Sequence, residues 1–235
     1  MPEATAPERV LSKTDHRRLI HRLQDRLSDL QARVRDSQRS VLIVLEGPDE
    51  SGKSTIAQRL LETLDPRGFR VLHTYGPESE ELRRPWLWRF WMRIPRRGAV
   101  ACFDRSWYGR VLVERVEGLA SDRDVKRAYE EIAAFEKTLA DDGAVLVKLL
   151  LNLSKREQRR RFEASESDPN QRWRIKKEDW DRHRRFAKYR EAFADMVKRT
   201  SKPGARWKLI PADDRRTAET LALGAIAGTV ARELR

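Results

Sequence analysis

Val41-Leu42-Ile43-Val44-Leu45-Glu46-Gly47-Pro48-Asp49-Glu50-Ser51-Gly52-Lys53-Ser54-Thr55 is the stretch whose reading decides the fold. Its first five residues form a continuous apolar run rich in β-branched side chains, the pattern of a strand buried on both faces. Residues 47–55 then meet the spacing G-x-x-x-x-G-K-[ST] at Gly47, Gly52, Lys53 and Ser54. The glycines permit a backbone path whose N–H groups, including those of Glu50 and Ser51, turn inward on an anion. Lys53 adds a mobile positive charge, and the helix that follows presents its positive end. The hydroxyl of Ser54 or Thr55 would suit a magnesium ion. An ordinary glycine turn is the bland alternative, but it requires neither a buried strand before the loop nor a helix after it.

Outward from this stretch, short apolar runs alternate with helical periodicities. Upstream, Leu19, Ile20, Leu23, Leu27, Leu30 and Val34 recur at helical spacing and predict an amphipathic helix over residues 13–39. Downstream, strands are expected near 70–75, 99–103, 144–151 and 207–210, and helices near 56–64, 85–93, 109–117, 122–141, 177–199 and 215–234. Ser154 and Glu157 stand at capping-box spacing and open a further helix. Strands alternating with helices predict an α/β fold, a parallel sheet flanked by helices. Residues 1–12 are expected to be a flexible tail, and 13–235 a single domain.

Three other features carry chemistry. Asp49 lies inside the loop, where a carboxylate would repel phosphate unless it holds a metal or accepts a proton; a turn or capping role is the alternative. Asp104 ends an apolar strand at the edge where parallel sheets expose their ligand crevice, and Arg105 beside it would neutralise a phosphoryl group. Asp49 and Asp104 thus suggest a metal and general-base pair. Finally, residues 155–190 are strongly basic, with Trp173 and Trp180 interleaved. Such an insert fits a lid over phosphates, a surface for single-stranded nucleic acid, or a solvated helix face.

The chain carries 50 Lys and Arg against 37 Asp and Glu, a net charge of +13 that attracts polyanions without choosing among them. One cysteine, Cys102, precludes an internal disulfide and suits a reducing compartment. No apolar stretch approaches a membrane span, and the N-terminal residues lack a signal peptide's apolar core. A cytoplasmic protein is expected, with no membrane partner.

The stretches LEGPDESGK, LDPRGFRV, WLWRFWMRIPRRG, FDRSWYGRVLVERVEG, SKREQRRRF, DPNQRWR and RWKLIPADDRR resemble the polyphosphate kinase 2 family. WRFW followed by the long FDRSWYG run is most similar to the C-terminal unit of its two-unit polyphosphate:AMP phosphotransferases. The resemblance implies a P-loop kinase-like sheet with a helical lid near residues 154–180. It implies phosphoryl transfer between inorganic polyphosphate and AMP or ADP, with GMP or GDP as further acceptors. Asp49, Lys53, Asp104 and Arg105 would be catalytic. Asp49, Asp104 and Ser54 would hold Mg2+ or Mn2+, and Arg160, Arg161, Arg172 and Arg174 would be the lid cations. A homo-oligomer, dimer or tetramer, is implied, and nucleic acid is not the expected partner. The chain departs from the family pattern at Ser54-Thr55, where Gly-Gly is usual, at Ser165, where an arginine is common, and at Gln171, where a lysine is common. The first departure keeps an ATP-dependent nucleotide or nucleoside kinase in view. The second, with the high charge, keeps a non-catalytic polyanion-binding protein in view.

Overall fold

A computed structural model describes residues 11–235. Most of the expected tail, residues 1–10, lies outside that range, and Ser12 is not part of a tail. Its hydroxyl accepts from the Asp15 N–H at 3.0 Å and caps α1 (Lys13–Ser37). The chain continues through β1 (Val41–Glu46), α2 (Lys53–Thr63), β2 (Phe69–His73), α3 (Ser79–Leu82), α4 (Trp88–Trp91), β3 (Val100–Asp104) and α5 (Val113–Val116). It then forms α6 (Asp122–Asp141), β4 (Val145–Asn152), α7 (Lys155–Ser167), α8 (Lys177–Arg184), α9 (Phe186–Thr200), β5 (Trp207–Pro211) and α10 (Arg215–Glu233).

Among the described residues the five strands are all parallel, in the order β2-β3-β1-β4-β5. β1 is central, and its run of buried residues follows from having a strand on each side and helices on each face. Val41, Ile43 and Leu45 pack toward one layer, with Leu27 and Leu30 of α1, Leu60 of α2 and Ile226 of α10. Leu42 and Val44 face the other, with Phe103, Trp107, Ile132 and Phe135. The path from β1 leads to one side of the sheet and returns over it to β4. The carboxyl end of β1 is therefore a switch point where a crevice opens.

Several expected elements differ. The helix foreseen over 85–93 is the single turn α4, because Pro85 opens a tighter turn in which the Trp88 N–H meets the Pro85 carbonyl at 2.8 Å. The one foreseen over 109–117 divides into a 3-10 turn, Trp107–Val111, and α5, at an unusual Leu112 backbone (φ −111, ψ −93). The helix foreseen over 177–199 breaks at Arg185 into α8 and α9. Ser154 does cap α7, but Glu157 does not complete a capping box. Its carboxylate is held by Arg160 and Arg161, and the Ser154 N–H goes to Asp213 at 2.7 Å.

Under the second layer lies a sealed polar network. Lys148 of β4 donates to Glu136 at 2.7 Å, to the Tyr108 hydroxyl at 3.0 Å and to the Thr200 carbonyl at 2.8 Å. The Trp107 indole (3.0 Å) and the Tyr108 hydroxyl (2.7 Å) donate to the other Glu136 oxygen. The Lys148 and Glu136 side chains are 0% and 4% exposed, so removing one leaves an uncompensated buried charge. Lys148→Met is expected to cost about 3–5 kcal/mol in urea unfolding, and the double variant Lys148→Met, Glu136→Leu to recover most of it.

Candidate active site

The site is built where β1 runs out. Gly47 has a positive φ (+150), and a Cβ there would lie 2.6 Å from the Leu151 carbonyl oxygen of β4, so only glycine lets the loop cross this close. Glu50 and Gly52 also take positive φ (59 and 101), bending the loop onto the first turn of α2. Lys53 is buried beneath it. Its ammonium donates to the Gly47 and Pro48 carbonyls, each at 2.8 Å. Burial pushes the Lys53 amine below its ordinary range, as does Arg105, while Asp104 and Asp49 oppose the shift.

β3 delivers the second half. The Ser54 hydroxyl donates to Asp104 at 2.9 Å, and His73 Nδ1 lies 3.2 Å from the same oxygen. Arg105 follows in a left-handed backbone (φ 63), a costly conformation for a residue with a side chain. Its guanidinium meets Asp49 at 2.5 Å. Arg182 of α8 takes the other Asp49 oxygen at 2.6 Å. Burial raises the Asp49 carboxyl, but Arg105, Lys53 and Arg182 outweigh it and hold the group below its ordinary range. Glu46, at the end of β1, behaves oppositely. Burial lifts it to about 7 despite the Ser106 N–H (2.9 Å) and hydroxyl (2.8 Å) that donate to it.

Two chambers meet at Asp49, Arg105 and Arg182. One is a wide cleft of about 710 Å3 over the loop, Ser54 and Asp104, walled by Arg174, Lys176 and Arg215. Tyr75 and Trp173, 78% and 73% exposed, also face it. The other is a narrow, mostly apolar slot between Pro48, Leu112, Val113, Phe186, Tyr189 and Phe193.

The structure thus brings Asp49, Lys53, Ser54, Asp104 and Arg105 together, along with the loop residues Gly47, Glu50, Ser51, Gly52 and Thr55. The four expected lid cations disperse. Only Arg174 lines the cleft. Arg160 pairs with Glu157 on the surface, and Arg172 is exposed away from the cleft walls. Arg161 is buried and donates to the carbonyls of Glu50 (2.8 Å) and Ala212 (2.6 Å), so it braces the loop and does not reach into the cleft. Arg182, His73 and Arg215 take the vacated places, and the sequence reading missed all three. Nothing in the charge pattern separates Arg182 from Arg184 and Arg185. His73 carries a signal in hindsight, since it ends β2 in register with Asp104.

A divalent cation fits part of the expected set. Ser54 and Asp104 place a hydroxyl and a carboxylate oxygen within 2.9 Å, hard donors of the kind magnesium takes together with water and substrate phosphates. Asp49 is less available, since both its oxygens are engaged by guanidiniums. Among the described residues no group of three or more His, Cys, Asp or Glu could hold a metal.

Comparison with known proteins shows the family. The profile of the family described as Polyphosphate kinase 2 (PPK2) matches residues 10–234. A polyphosphate:AMP phosphotransferase of Pseudomonas syringae pv. tomato is 43% identical over 216 residues, covering 92% of this chain and 43% of that protein. The chain therefore spans under half the length of that relative. ADP-polyphosphate phosphotransferase 3 of Rhizobium meliloti is 33% identical over 230 residues, covering 98% of this chain and 81% of its own. The crystal structure of polyphosphate kinase 2 from Arthrobacter aurescens TC1 superposes with a TM-score of 0.88 at 32% identity, covering 97% of this chain and 83% of that one. With loop, strand order and near full-length similarity in agreement, the chain belongs to the polyphosphate kinase 2 family.

Proposed function

We propose that the protein is a magnesium-dependent phosphotransferase that moves a phosphoryl group between inorganic polyphosphate and a nucleoside mono- or diphosphate, AMP or ADP foremost. The junction of the two chambers carries this reading. A bare phosphate chain needs an open polar channel with loop amides and cations, whereas a nucleoside needs an enclosed apolar surface. The cleft, about 710 Å3, offers the first; the apolar slot beside it, about 70 Å3, would have to widen to take a nucleoside, and the two adjoin at Asp49, Arg105 and Arg182.

In this scheme the loop amides and Lys53 bind donor phosphates, and Arg105 and Arg182 steady the group in transfer between the chambers. Such transfer is mostly positioning and charge stabilisation. Ser54 and Asp104 would hold the magnesium ion, whose chemistry is to neutralise charge on the phosphate oxygens. Asp49 would orient the acceptor phosphate as its arginines turn to the incoming anion. The lid expected near residues 154–180, carrying Arg174 and Lys176, would close beside Arg182 of α8 and shield the reaction from water. The single cysteine is buried and its thiol is pushed up by burial. No helix among the described residues is long and apolar enough to cross a membrane. A single cysteine suits a reducing compartment, and we take the enzyme to be cytosolic and to assemble as a homo-oligomer.

A second reading has its own observation. Tyr75 and Trp173 offer exposed rings to the cleft; a base would stack on them, and a bare phosphate chain would not. Together with Ser54 on Asp104, they favour ATP as a donor.

Transfer from long-chain polyphosphate to AMP and ADP, with ATP as the rival donor, separates the two readings. Turnover with ATP alone would sink the first. Chelation should abolish transfer and added magnesium restore it. Asp104→Asn and Lys53→Met should each lower kcat by roughly 10²–10³-fold. Val113→Trp, which fills the slot, should raise the KM for nucleotide about tenfold or more and leave that for polyphosphate unchanged.

A further inference from the structure

The proposed mechanism makes no use of Gln158, a glutamine of α7 that is 3% exposed. Its amide nitrogen donates to the Asp49 carbonyl at 3.0 Å, and its amide oxygen lies 2.8 Å from His183 Nδ1. The assignment of this relay follows by elimination. A carbonyl only accepts, so the nitrogen of Gln158 faces Asp49; the amide oxygen only accepts, so His183 Nδ1 carries a proton. His183 is itself buried, with the rings of Phe162 and Trp180 centred 5.9 and 5.6 Å away.

Peptide planarity gives this contact its consequence. In a trans peptide the carbonyl of Asp49 and the N–H of Glu50 point in opposite directions. Pulling that carbonyl toward Gln158 turns the Glu50 N–H the other way. Glu50 lines the cleft, whereas Gln158 lines the slot, so the inferred direction of the Glu50 N–H is toward the cleft. One turn along α7, Arg161 holds the next carbonyl, that of Glu50, at 2.8 Å. The two side chains thus orient successive peptides of a loop that would otherwise be free to flip. α8 takes hold of the same loop residue twice: Arg182 reaches the Asp49 carboxylate directly, and the adjacent His183 reaches its carbonyl through Gln158.

We propose that Gln158 is a positioning residue for phosphate binding: it aims the Glu50 N–H into the cleft and, through His183, makes the loop's orientation depend on the seating of α8. This rests on the reading of the cleft as the polyphosphate site.

The test measures binding of inorganic tripolyphosphate to the full chain by calorimetry, alongside the KM for polyphosphate. Gln158→Met should weaken tripolyphosphate binding and raise that KM by about tenfold, the weight of roughly one hydrogen bond. His183→Leu should do the same. His183→Asn, whose side-chain amide can still donate to Gln158, should bind close to wild type; a purely structural role for the ring would not allow this rescue. Wild-type binding in Gln158→Met, or equal weakening in His183→Asn and His183→Leu, would overturn the proposal. Should Gln158→Met fail to fold, the two His183 variants decide alone. Absence of tripolyphosphate binding in the wild type would overturn the polyphosphate reading itself, and this inference with it.

Discussion

The closeness of one backbone crossing sets the geometry of this site. The loop leaving β1 passes over β4 so tightly that a Cβ on Gly47 would stand 2.6 Å from the Leu151 carbonyl oxygen. That approach bends the loop over the end of the sheet and brings the first turn of α2 beside Asp104. It also forces Lys53 beneath the loop, where it meets two carbonyls. The central position of β1, paired on both sides, fixes the crossing in place. Ser54, Asp104, Asp49 and Arg105 are then distributed around a single turn of chain.

Two charge clusters in the molecule use similar chemistry differently. Lys148 and Glu136 are sealed and fully hydrogen-bonded, so they specify how the 3-10 turn, α6 and α9 pack on the sheet. Asp49, Arg105 and Arg182 are only partly covered and lie on the boundary between two chambers. The first cluster holds one arrangement at the expense of desolvation. The second leaves its guanidiniums partly exposed at the junction of the cleft and the slot, with Arg105 held in a left-handed backbone.

The sequence was most informative where a local pattern and a chemical demand coincide. The run 41–45 declared a doubly buried strand, and the glycine spacing that follows declared the loop. The place of Asp104 at the cleft was legible because an acidic residue closing an apolar run marks the edge where a parallel sheet opens its crevice. The fate of the expected lid arginines was not, because Arg160, Arg161, Arg172 and Arg174 are alike in composition and differ only in direction. Arg161 faces inward because α7 packs that side against the loop, which no charge count contains. Arg182 was hidden for the same reason, and Gln158 because a neutral amide in a basic helix carries no charge signal. The breaks at Leu112 and Arg185 depend on tertiary packing that local propensity does not encode.

The double clasp on Asp49 also bears on how readily a substrate leaves. Arg105 and Arg182 are already partnered by a resident carboxylate, so on the proposed function an arriving phosphate would displace one anion with another and would not meet bare cations. The gain on arrival is the difference between two similar attractions, and the carboxylate stands ready to reclaim the arginines. On the proposed function, affinity would be held to a level compatible with repeated exchange, as a phosphotransferase releasing a charged product would need.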